Sequence, residues 1–268
     1  MSSLWTVWNQ RGSLIFHPTH DIIGTPSAYG YKYSNIQVET ISTIVKGWIL
    51  PGNHENYDNK KLIIFSHGNS GNMSHRREFM NFFEKYLRHQ YALFMYDYPG
   101  FGDSAFKESS TPSLQPNHIS VSSCKQSLHD VIGYAITKLG YESKDICLYG
   151  ESIGAAITAT VASETRLKFE KVVLQSTFTS IAAMASQFSF VLSMAAFFLP
   201  EELDVVNALG SLKLRKANVL IMHSETDEII PFSMFCALKK YCRKSLVLVG
   251  GHNETVLDER VAKFILDE

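Results

Sequence analysis

Six short apolar runs, separated by longer amphipathic stretches and loops, constrain this chain more than any other feature. They are KLIIFSHG (61–68), YALFMYDYPG (91–100), DICLYG (145–150), EKVVLQST (170–177), NVLIMHSE (218–225) and SLVLVGG (245–251). Near-continuous apolar runs of this length suit strands covered on both faces, as in a parallel sheet. Between and after them the spacing predicts helices over 74–88, 120–139, 153–163, 231–241 and 254–266, with Ser74 placed as an N-cap and Pro231 in a first helical turn. Strand, helix, strand in repetition requires right-handed crossovers and gives a mostly parallel sheet. Two earlier runs, NIQVETIS (35–42) and TIVKGWILP (43–51), read as an antiparallel pair closed by Pro51 and Gly52. The expectation is an α/β chain with a twisted sheet of about eight strands and helices on both faces.

At 268 residues the chain exceeds the usual single-domain size, but open α/β sheets reach this length as one domain. With 45% hydrophobic and 12% aromatic residues it can bury a large core. One domain over 1–268 is expected. The Ser/Pro-rich stretch 103–119 and the uncharged stretch 181–200 interrupt the rhythm. A formal net charge of −1 argues against nucleic acid as a partner. Cys124, Cys147, Cys236 and Cys242 have no CxxC spacing, so reduced thiols in an intracellular, cytoplasmic setting fit best and no zinc site is expected. The first residues show neither a secretory pattern nor a glycine at position 2, so no export or myristoylation signal is expected.

Ligands of such sheets collect at the carboxyl ends of the strands, so chemistry is expected in the residues just after each one. After DICLYG comes Glu151-Ser152-Ile153-Gly154, completing G-x-S-x-G. Placed between an apolar strand and an Ala/Thr-rich helix, that pattern predicts a sharp turn that exposes Ser152, with the helix start offering free N–H groups. A serine hydroxyl needs a base to take its proton and a carboxylate to orient the base. Asp227 follows NVLIMHSE and His252 follows SLVLVGG, giving the chain order Ser152, Asp227, His252. Glu225 and Glu228 compete with Asp227 as the acid, His223 is read as packing in its turn, and Asp97 as tying its own loop together. His17, His20, His54, His75, His89, His118 and His129 are read as surface residues without partners. A tetrahedral intermediate also needs fixed N–H donors. The loop HGNSGN (67–72) can supply the Asn69 N–H, with the Ile153 N–H as its partner; read instead as a phosphate loop, it lacks G-x-x-x-x-G-K-[ST].

The set SHGNSGN, YDYPGFGDS, GESIG, STFTSI, HSETDEIIP and GGHNE resembles the α/β-hydrolase superfamily, nearest to its intracellular and membrane-associated branch with protein depalmitoylases and lipid-ester hydrolases. The resemblance extends to IFHPT, TPSAYGYKY and KGWILPG and so spans almost the whole chain. It implies the α/β-hydrolase fold, Ser152 as nucleophile, Asp227 as acid, His252 as base, Asn69 and Ile153 as oxyanion donors, and no metal or organic cofactor. Ser224 stands where such proteins usually carry glycine after the histidine of that strand.

The stretch 181–200 is long enough for a helix of roughly 30 Å. A membrane span there would separate Ser152 from Asp227 and His252, so two readings remain. One is a buried core helix. The other is a short lid insertion within 178–210, in which Met184, Phe188 and Leu192 form an apolar wall for an acyl chain and 181–200 touches a membrane surface peripherally. The expected activity is cleavage of a carboxylic ester or thioester, on a small-molecule or acyl-protein substrate. A peptidase or amidase with the same three residues, and a non-catalytic acyl- or protein-binding member of the fold, are the alternatives.

Overall fold

The computed structural model describes residues 15–52, 61–107, 119–188 and 203–268. Strands β1 (His17–Pro18), β2 (Ser34–Glu39), β3 (Thr43–Leu50), β4 (Lys61–Ser66), β5 (Ser70–Gly71), β6 (Tyr91–Tyr96), β7 (Ala105–Phe106), β8 (Ile146–Glu151), β9 (Lys171–Gln175), β10 (Val219–Ser224) and β11 (Lys244–Leu248) are joined by seven described α-helices: α1 (Arg77–Phe82), α2 (Val121–Thr137), α3 (Ile153–Glu164), α4 (Ile181–Phe188), α5 (Val205–Leu214), α6 (Phe232–Leu238) and α7 (Glu259–Leu266). The main sheet runs β11-β10-β9-β8-β4-β6-β3-β2, with β7 paired to β3, while β1 and β5 form a separate two-stranded bridge. Pairings from β6 through β11 are parallel; β2 and β3, and β3 with β6, are antiparallel.

Alternation along each strand explains two cores. Leu62 and Ile64 of β4, with Ile146 and Leu148 of β8, face a cluster that includes Leu128 of α2, Ala156 of α3, Leu209 of α5 and Phe235 of α6. Ile63 and Phe65, with Cys147 and Tyr149, face the opposite cluster, which includes Phe79 and Met80 of α1 and Val261 and Ile265 of α7. A strand with helices on both faces has no polar side, which is why these runs read as continuously apolar. Helix α3 is buried over ten consecutive residues, Ile153 to Ala162. Its small Ala and Thr side chains let it lie close to the sheet and to α5.

Several expectations are corrected. The run SLVLVGG forms an edge strand, not one covered on both sides, with Val247 39% and Val249 57% exposed. The expected helix over 74–88 divides into a 3-10 turn (Met73–His75), α1 and a π-helical turn (Phe83–Leu87). Ser74 does not cap it: the Asn72 side chain accepts from the Ser74 N–H, and the Ser74 hydroxyl is used by Asn72 and by the Ile23 N–H. The last helix starts at Glu259, not at 254, because the Val256 N–H bonds to Val249 O and Asp258 caps the Arg260 and Val261 N–H groups. Helix α5, which the sequence pattern did not predict, is capped by Asp204 and buries Val205, Ala208, Leu209 and Leu212, so that part of 178–210 belongs to the body of the fold. Among the described residues no helix is long and apolar enough to cross a membrane.

Candidate active site

Ser152 alone joins β8 to α3, at φ 57° and ψ −122°. A non-glycine residue held there costs on the order of 1–3 kcal/mol, so its surroundings must hold it. They do so closely. A Cβ at Gly150 would lie 2.4 Å from Ala155 Cα, and one at Gly154 would lie 2.3 Å from Ser66 O and 2.4 Å from His67 O. Only glycine admits the helix start this near β8 and the β4 loop. The Ser152 N–H donates to Gln175 O at 2.9 Å, which fastens the turn to β9.

Asp227 and His252 come from the loops after β10 and β11. His252 Nδ1 donates to Asp227 Oδ2 at 2.7 Å, and the Ser152 hydroxyl lies 3.1 Å from His252 Nε2, aligned to donate to it. The other Asp227 oxygen accepts from the Ile229 N–H at 3.0 Å and the Ile230 N–H at 2.7 Å. Burial works to raise the Asp227 pKa, but the His252 hydrogen bond and these amide donors outweigh it and hold the carboxyl below its ordinary value. The Asp227 side chain is fully buried, whereas Glu225 and Glu228 are exposed, which separates the three candidate acids. Glu228 acts on the backbone instead, because its carboxylate accepts the His252 N–H at 2.9 Å and fixes the histidine loop. That bond lowers the Glu228 pKa.

His223 is fully buried, donates through Nε2 to Ile230 O at 3.0 Å and stacks on Phe235. Burial lowers its pKa, and it supports the acid loop from below. The Ser224 hydroxyl donates to Gly250 O, and Thr226 Oγ1 donates to the same oxygen at 2.9 Å, tying the Asp227 loop to the His252 loop. Sequence reasoning missed this tie, since nothing near Ser224 signals a partner 26 residues away.

The β4 loop lies across the turn. The position of a Gly68 Cβ would be 3.5 Å from Ser152 Cβ, and the next residue is Asn69. Asn69 is anchored by its carbonyl to the His17 N–H at 2.8 Å and by its side-chain amide to Ile15 O at 3.0 Å. At the rim, Arg76 Nε pairs with Glu151 Oε2 at 3.0 Å. His20 and His75, expected to be without partners, bond to Gly102 O at 2.8 Å and Asn72 Oδ1 at 3.1 Å. Of the apolar-wall candidates, Met184 lies on α4, partly buried against the larger core cluster. The Phe188 side chain and all of Leu192 lie outside the described residues, as do His54 and His118.

In this arrangement an imidazole can take the Ser152 proton while Asp227 holds its other nitrogen, which is the geometry of nucleophilic acyl transfer. Known proteins match most of the chain, YfhR and bem46 among them. YfhR of Escherichia coli O157:H7 is 28% identical over 241 residues, covering 84% of this chain and 77% of that protein. The bem46 protein of Schizosaccharomyces pombe is 25% identical over 251 residues, 91% of this chain and 79% of that protein. The Pyrococcus furiosus esterase Pf2001 superposes with a TM-score of 0.69 at 17% identity, covering 94% of this chain and 98% of that one, a likeness of fold. Residues 57–208, more than half of the chain and including the turn at Ser152, match the family described as serine aminopeptidase, S33. The chain therefore belongs to that hydrolase family, Hydrolase_4, within the α/β-hydrolase superfamily.

Proposed function

We propose that the protein is a serine hydrolase that cleaves a carboxylic ester or thioester through an acyl-Ser152 intermediate. The observation that carries this reading is the unbroken chain from Asp227 Oδ2 to His252 Nδ1 at 2.7 Å and from His252 Nε2 to Ser152 Oγ at 3.1 Å. His252 takes the Ser152 proton as Oγ attacks the acyl carbon, and the tetrahedral oxyanion is met by the Asn69 and Ile153 N–H groups. His252 then gives the proton to the leaving group. In the second half it takes a proton from water as the water oxygen attacks the acyl carbon, and gives that proton to Ser152 Oγ as the acyl–serine bond breaks and the acid leaves. Asp227 stays ionised throughout and holds the imidazole in the tautomer that accepts at Nε2.

The family description favours a second reading, hydrolysis of a peptide or amide bond with the same groups. One experiment separates them: the purified protein is assayed on p-nitrophenyl esters of rising chain length, an acyl-thioester and aminoacyl p-nitroanilides, alongside labelling with a fluorophosphonate. Ester or thioester turnover with little anilide turnover is expected; the reverse order selects the amidase reading. Loss of label in the Ser152→Ala variant is expected, and label retained there would place the nucleophile elsewhere.

A further inference from the structure

The motif IFHPT (15–19) takes no part in the catalytic steps, yet the fold lays it along the loop that carries Asn69. Between Ile15 and Ile23 only Phe16 is buried, and its ring meets Phe101 edge-on at 6.4 Å. The other residues of the motif act through the backbone. His17 N–H donates to Asn69 O at 2.8 Å and Thr19 N–H to Gly71 O at 3.3 Å, with β1 and β5 in parallel register. Alternation turns Pro18, which has no N–H, away from that loop, so its missing donor leaves the pairing intact. Side chains lengthen the seam. Asn69 Nδ2 donates to Ile15 O at 3.0 Å, and Asn72 Nδ2 donates to Thr19 O at 3.1 Å and Asp21 O at 2.9 Å.

The loop leans on this seam. Among the described residues β5 pairs with β1 and with no strand of the main sheet. Two strands of two residues each, with His17 and Pro18 exposed, are marginal by themselves. Gly71 sits at φ 74°, where glycine has no steric preference against leaving the strand. What steadies the pairing is on the IFHPT side: Phe16 is seated in the core, and Thr19 O accepts the Gly102 N–H at 2.9 Å from the loop after β6. Arg76 Nη2 adds one bond to Ser70 O at 2.9 Å.

Asn69 is thereby held at two of the three heavy substituents of its Cα. The carbonyl is fixed by the His17 N–H, and the side chain by Ile15 O. Tetrahedral geometry at Cα then fixes the third, the backbone nitrogen. A donor lowers the barrier only when it is already aimed at the place where charge develops. We propose that Ile15–Thr19 is a strap that positions the oxyanion hole, presetting the Asn69 N–H toward the Ser152 reaction centre before substrate arrives. This rests on the reading of Asn69 as an oxyanion donor. Ile15 and His17 are positioning residues, acting through Asn69.

Two variants of the full chain test the strap, each removing one of its bonds while keeping the Asn69 N–H. Asn69→Ala removes the amide that donates to Ile15 O, and His17→Pro removes the N–H that donates to Asn69 O. Turnover of p-nitrophenyl acetate should fall on the order of 10-fold in each, less than for loss of a whole oxyanion donor, with KM within about twofold. Affinity for a trifluoromethyl ketone, which forms a tetrahedral adduct on Ser152, should fall by a similar factor. The midpoint of the pH–rate profile should stay at its wild-type value, because His252 and Asp227 are untouched. The double variant should lose little more than the worse single one, since either bond alone leaves Asn69 free to turn. A folded variant with wild-type turnover or wild-type ketone affinity overturns the proposal. So do a shifted pH midpoint, which places the damage at His252, and losses that multiply in the double variant. If His17→Pro fails to fold, Asn69→Ala, at a half-buried position, decides alone. Failure of wild type to label with fluorophosphonate or to turn over any ester overturns the catalytic reading and the strap with it, a result distinct from the others.

Discussion

The two edges of the main sheet use buried polar groups in opposite ways. At the amino edge, Lys171 is 5% exposed and donates to Ile265 O at 2.7 Å, with Glu170 at 3.7 Å and Asp267 at 3.6 Å. Glu170 also takes Lys61 at 2.6 Å and the Tyr91 hydroxyl at 3.1 Å, and Asp267 takes Lys244 at 2.6 Å as well as Arg243. These groups pair with one another, and they fasten the end of α7 to β9, β4, β6 and β11. At the carboxyl edge the chain of bonds runs instead to a hydroxyl in a strained turn. Ser176, one strand over from Ser152, also has positive φ, at 50°, and the buried hydroxyls of Ser176 and Thr177 have no partner among the described residues. One edge pairs its charges with one another; the other directs its bonds to a hydroxyl where chemistry is proposed. That division fits a sheet whose amino edge sets stability and whose carboxyl edge sets reactivity.

Variants at each edge put this division to the test. The largest effect is expected for Ser152→Ala, with ester turnover down on the order of 10⁵ to 10⁶ and melting temperature unchanged or raised as the serine's polar group is removed. Steady-state assay with calorimetry checks it, and a large fall in stability would mean the turn is structural first. Next comes Asp227→Asn, expected to lower turnover on the order of 10³ to 10⁴ in a folded protein, because the imidazole loses its orienting acceptor. Its pH behaviour adds a sign. The Asp227 pKa is lowered in the fold, so its contribution to stability is present above the unfolded carboxyl pKa and is lost as pH falls through the lower folded value. Melting curves from neutral to acid pH should therefore lose that component in wild type and show less acid sensitivity in Asp227→Asn.

At the other edge, Lys171→Met should cost about 3 kcal/mol, since it removes a buried cation from Glu170 and Asp267, yet leave the rate of fluorophosphonate labelling within about twofold at a temperature where both proteins are folded. Denaturant titration beside labelling kinetics decides, and a large labelling defect would show that the two edges are coupled. The smallest effect is expected for Glu228→Gln, where the amide oxygen still accepts from the His252 N–H but loses its charge; a loss of less than about tenfold in turnover is expected. A loss as large as that of Asp227→Asn would move the acid assignment toward Glu228.

The strands, their alternation with helices and the turn at Ser152 were legible in the amino-acid sequence, because each depends on residues near one another in the chain. An apolar run of five or six residues is a strand wherever it is covered, and Gly150 is demanded by contact with Ala155 within the turn itself. The order Ser152, Asp227, His252 was legible for the same reason, since each residue closely follows a readable strand. The rest came only with the packed fold. Packing set the buried Asp227, and neither Glu225 nor Glu228, against the His252 side chain, although all three share one loop and one chemistry. It made β11 an edge, delayed α7 to Glu259 and placed α5 against α3. It also joined Ser224 to Gly250, Glu228 to the His252 N–H and His67 to Asp97. Those outcomes depend on which strand lies beside which and on what is withdrawn from water there. Partners in space leave no periodicity in the sequence, and burial, which selects among equivalent carboxylates, exists only once the chain has folded.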